Sequence, residues 1–111
     1  MTTGTGMGMG PWMVVIEENG GLGQSVSWRV SNFFWATDHN DALRMAEHLA
    51  HTHRPMHPMI PQGRWALRRT DGSWLVIVPG TTTTYQFRVD IAEHVPYPGT
   101  TWTSPRVAGT T

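Results

Sequence analysis

The sequence predicts an α+β fold in the order ββαβββ: a five-stranded antiparallel sheet with one amphipathic helix packed on one face and a flexible tail at each end. Three observations carry that expectation. Two β-type runs precede position 36, a stretch of helical periodicity occupies 38–52, and two further apolar runs are joined by Asp71-Gly72. At 111 residues the chain has the size of a single domain, and six Trp, three Phe and two Tyr suffice to fill one core without disulfide or metal staples.

Trp12 to Glu17 is mostly β-branched and reads as the first strand, ended by Asn19-Gly20-Gly21-Leu22-Gly23, where glycines supply the positive φ of a tight reversal. In the second strand Val26, Trp28 and Val30 alternate with Ser27, Arg29 and Ser31, the period of a half-buried strand. Asp38 or Thr37 then serves as N-cap, with Asp41 in the first turn, where the helix dipole favours a negative charge. Ala42, Met45, Ala46, Leu49 and Ala50 follow at i, i+3, i+4, i+7 and i+8, one apolar stripe that leaves Arg44, Glu47, His48 and His51 on the polar side. Pro55, Pro58 and Pro61 forbid continuation, so the helix stops by about Thr52.

Arg64–Arg69 and Trp74–Val78 flank Asp71-Gly72, the strongest short-range hairpin signal in the chain. Pro79-Gly80 makes a further turn, after which Tyr85, Phe87, Val89 and Ile91 alternate with Gln86, Arg88 and Asp90. Outside this region, residues 1–10 are Gly, Thr and Met, and 96–111 are dominated by Pro, Gly and Thr. Neither stretch offers enough apolar surface to offset the entropy of ordering. The expected organisation is therefore a tail at 1–10, one domain at 11–95, and a second tail at 96–111.

Eight acidic and eight basic residues cancel, so no long-range field draws the chain to nucleic acid or an anionic membrane. Every basic residue is Arg, which removes Schiff-base chemistry and a P-loop lysine. With no Cys, thiolate catalysis and Cys-ligated zinc fall away as well. The N-terminus lacks the basic and apolar regions of a secretory signal, and no apolar run reaches membrane-spanning length, so a soluble cytoplasmic protein is expected. Dinucleotide, P-loop and nucleophile-elbow motifs are absent, which leans the expectation away from an enzyme.

The densest chemical signal is histidine: His48, His51, His53 and His57 fall within ten residues. His48 and His51 sit one helical turn apart, with Glu47 beside them. Joined by His53 or His57 from beyond the helix, they define a candidate site for a borderline cation such as Zn or Ni. The spacing is not that of a zincin, and polar residues at a helix C-terminus account for the same pattern, so no cofactor is required.

Phe33-Phe34-Trp35 makes a separate point: three consecutive aromatics in a strand point both ways, so a large ring must emerge on the outer face. Trp28, Tyr85 and Phe87 lie on runs with polar opposite faces and are expected in the core. The uncovered face is expected to be polar, carrying Ser27, Arg29, Arg68, Gln86 and Arg88. Phe33, Trp35, Arg29, Arg68 and Arg88 are accordingly the candidate partner-binding residues. The expected function is a small non-enzymatic domain that contacts a protein partner, or a second copy of itself, through an open sheet face or edge. The alternatives are metal binding by the histidines, and anion or nucleic-acid binding by arginines aligned across the sheet.

Overall fold

The computed structural model describes residues 10–19 and 27–98; the Gly-rich turn at 20–23 and most of both expected tails lie outside them. Among these residues, five strands, β1 (Trp12–Asn19), β2 (Trp28–Trp35), β3 (Trp65–Arg68), β4 (Trp74–Pro79) and β5 (Thr84–Glu93), and one helix, α1 (His39–Thr52), follow in the order ββαβββ. They form a single antiparallel sheet in the spatial order β2-β1-β5-β4-β3. The last strand is thus the central one, joining the β1–β2 hairpin to the β3–β4 hairpin. Because β2 and β3 are opposite edges, α1 and the segment after it must cross the whole sheet, and this covers one face.

Helix boundaries follow from local chemistry. The Asp38 carboxylate accepts the Asp41 N–H at 2.7 Å, while the Asp41 carboxylate accepts the Thr37 N–H at 2.8 Å. One first-turn donor is thereby satisfied, and the returning bond ties down the residue before the cap. At the other end the Thr52 hydroxyl donates to the His48 carbonyl at 2.7 Å, and Arg64 donates to the carbonyls of Ala50 at 2.8 Å and His53 at 2.6 Å. An arginine from beyond the proline segment therefore closes the helix C-terminus.

The covered face holds the core: Val14 and Ile16 of β1, Val76 and Val78 of β4, and Phe87 and Val89 of β5 are buried against Ala42, Ala46 and Ala50. An alanine stripe lets the helix backbone approach the sheet closely, with Met45 and Leu49 packing at its margins. Among the described residues, no helix is long and apolar enough to cross a membrane.

The second hairpin forms as its sequence predicts. Gly72 has φ of 90°, and the Asp71 carboxylate accepts both the backbone N–H and the hydroxyl of Ser73, at 2.9 and 2.6 Å. A Cβ on Gly72 would stand 2.7 Å from the Leu43 side chain, so this glycine is required twice, by conformation and by space.

Strand β2 departs from expectation. Its pairing with β1 shifts between Ile16 and Glu17: Ile16 faces Asn32, but Glu17 faces Val30, leaving Ser31 as an extra residue. Strict alternation therefore fails at Ser31. Phe34 points to the helix side and packs on the core, while Trp28, Val30, Phe33 and Trp35 align on the opposite face. Trp28 is consequently not a core residue; Phe87 is fully buried as expected, and Tyr85 is half-buried beside His57.

Candidate functional site

The face that α1 leaves uncovered is apolar, not the polar surface expected. Alternation from the buried residues puts Met13 and Val15 of β1, Leu75 and Ile77 of β4, and Trp65 and Leu67 of β3 outward, beside the four β2 residues. Trp65 is 63% exposed, Val30 53%, Leu67 47% and Phe33 42%. Pairs across the ladder are apolar on both flanks: Trp65 faces Ile77 and Leu67 faces Leu75, while Phe33 faces Val15 and Trp35 faces Met13.

Charge on this face is concentrated in a stripe along its middle, in Glu17, Arg88 and Asp90, with Arg69 near enough to act on the Asp90 carboxyl. Arg88 of the central strand bonds Glu17 at 3.1 Å and lies 4.0 Å from the centroid of the Trp28 ring. Its buried Nε has no partner among the described residues. Burial pushes the Asp90 carboxyl above its ordinary value, and the neighbouring Glu17 carboxylate, by hydrogen bond and by charge, pushes it the same way, against the pull of Arg88 and Arg69. The stripe is thus a compact acid–base group flanked by hydrophobic rows.

The five residues expected to bind a partner are divided between the faces. Phe33, Trp35 and Arg88 share the open one. Arg29 faces Glu18 and Arg68 faces Trp74 on the helix side, where the Arg68 guanidinium lies 5.7 Å from the Trp74 ring centroid. Arg29, Arg68 and Arg88 therefore do not form one cross-strand patch. Sequence reasoning missed Met13, Val15, Trp65, Leu67, Leu75 and Ile77. A signal for β1 and β4 was present: Trp12–Ile16 and Trp74–Val78 are unbroken apolar runs, the pattern of strands covered on both faces, not on one.

The four histidines are not gathered either. His48 is exposed on α1; His51 meets the Trp74 ring edge-on at 5.4 Å; His57 stacks on Tyr85 at 5.4 Å. His53 donates from Nε2 to Glu18 at 2.7 Å and touches the Phe87 ring. Among the described residues no three His, Asp or Glu side chains converge as a cation site.

Fold and face together define an open-faced α+β sheet domain, helix on one side and a hydrophobic surface with a charged midline on the other. No family model, curated protein or solved structure matches the chain.

Proposed function

We propose that this chain is a non-enzymatic binding domain whose open sheet face is a protein interface, and that its partner is a second copy of the same chain. The observation that carries this is the composition of the face: apolar side chains on four of the five strands, with charge concentrated in Glu17, Arg88 and Asp90 along the middle. Such a face is self-complementary. A two-fold axis lying in the face, perpendicular to the strands, runs the two central strands antiparallel and sets Arg88 of each copy opposite Asp90 of the other.

Size and charge agree. Strands about 4.8 Å apart rising about 3.4 Å per residue give a face of roughly 20 by 25 Å, or roughly 500 Å² before side-chain relief is counted. That approaches the ~800 Å² per partner of a standard interface. With net charge zero, two copies meet without long-range repulsion.

Sedimentation equilibrium between about 1 and 500 μM tests the proposal. A monomer–dimer equilibrium is expected, weakened at least tenfold in a Phe33→Ser/Trp65→Ser variant that alters both exposed flanks. A strict monomer over that range overturns it, as does a dimer indifferent to the two substitutions.

A further inference from the structure

We propose that the cleft between the β2 edge and the C-terminal end of α1 is a binding site for a small organic anion, gripped by Arg29 and Arg54. The cleft has a volume of about 400 Å³ and is lined by both arginines together with Ser31, Asn32, Glu18, His53 and Met56. That is the size of a small-molecule site.

An inventory of the arginines among the described residues singles these two out. Arg44 pairs with Asp41 at 3.6 Å and Arg88 with Glu17. Arg64 is spent on the carbonyls of Ala50 and His53, Arg68 lies over Trp74, and Arg69 acts on Asp71, helping hold its carboxyl down after the Ser73 hydrogen bonds. Arg29 and Arg54 have no carboxylate, carbonyl or ring partner among the described residues, and both line the same cleft. Every acidic residue of the chain lies within the described residues, so none elsewhere is left to neutralise them.

The acid inside the cleft is already engaged. Glu18 accepts from the His53 ring at 2.7 Å with one oxygen and from the Met56 N–H at 2.9 Å with the other. Local positive charge is also in excess: beyond burial, the Arg54 charge pushes the nearby Arg64 guanidinium below its ordinary pKa. Two guanidinium forks with the Asn32 amide beside them suit a carboxylate or a phosphate, and exposed Met56 supplies a surface for an apolar body. The β2 bulge falls in this site: the extra residue Ser31 and its neighbours Val30 and Asn32 line the cleft.

Titration of the 15N-labelled full chain with inorganic phosphate and, separately, with succinate tests the site, at ionic strength held constant with sodium chloride. Saturable shifts are expected at the Arg29 and Arg54 Nε–Hε and the Ser31 and Asn32 amides. Affinity should fall at least tenfold in Arg29→Gln/Arg54→Gln and persist in Arg44→Gln/Arg68→Gln. Tighter binding of phosphate assigns the ligand to the phosphate esters, and of succinate to the carboxylates. Shifts that stay linear with both anions overturn the proposal, as does saturable binding retained in Arg29→Gln/Arg54→Gln.

Discussion

Among the carboxyl groups whose titration is shifted, Glu18 and Asp90 are half-buried and move in opposite directions. Burial alone would raise Glu18, but the His53 ring, the Met56 amide and the Ser31 hydroxyl all bond its carboxylate, and together they hold it below its ordinary 4.5. A depressed carboxyl stabilises the fold above 4.5, and that contribution is lost as pH falls through the lower folded value. Asp90 is the reverse case: its raised carboxyl favours the fold below 3.8, and that advantage disappears as pH rises through the higher folded value. Urea unfolding at several pH values should separate the two. Glu18→Gln is expected to cost about 1–2 kcal/mol at neutral pH, from charge-assisted bonds at a partly screened site. The deficit should shrink as pH drops below 4.5. Asp90→Asn should gain on the wild type as pH climbs above 3.8, and a difference independent of pH would show that burial and the Glu17 contact do not raise this carboxyl.

At the scale of elements, α1 depends on its cap and its propensity more than on packing, since the stripe that docks it is mostly alanine and buries little side chain. Asp38→Ala removes the acceptor for Asp41 N–H and is expected to cost about 1 kcal/mol by urea unfolding, within the usual range for such caps. The cap, the stripe and the proline stop were legible in the sequence because each is a local rule: a short acceptor, a 3.6-residue period, a missing donor. The Asp71-Gly72 hairpin was legible for the same reason. What was not legible was decided across strands. The bulge at Ser31 follows from pairing with β1, and it turns Trp28 outward, although period-two counting puts that residue in the core. Trp65 and Leu67 sit on an edge strand only four residues long, too short for a period to declare which side faces the helix. The histidines illustrate the same limit: sequence spacing groups His48, His51, His53 and His57, but the chain turns after Thr52 and gives three of them separate aromatic neighbours.

The whole molecule is asymmetric in a way that bears on its stability. One face of the sheet has α1 as its cover; the other carries comparable apolar rows with water against Trp65, Val30, Leu67 and Phe33. If two copies join through that face, unfolding is coupled to dissociation, and each tenfold rise in protein concentration adds about 1.4 kcal/mol per dimer, or about 0.7 per chain. For a domain of this size, where 1 kcal/mol moves the midpoint by about 4–8 °C, Tm should climb by about 3–6 °C per decade of concentration. Scanning calorimetry at two concentrations a decade apart measures this directly, and Phe33→Ser/Trp65→Ser should return a Tm that does not move. Acid should flatten the wild-type slope as well. Asp90 must be ionised to pair with Arg88 of the second copy, while Glu17, Arg88 and Arg69 of its own chain already compete over its proton. A slope unchanged from neutral pH down to 4 would leave the hydrophobic rows as the whole of the attraction and remove the charged midline from the interface.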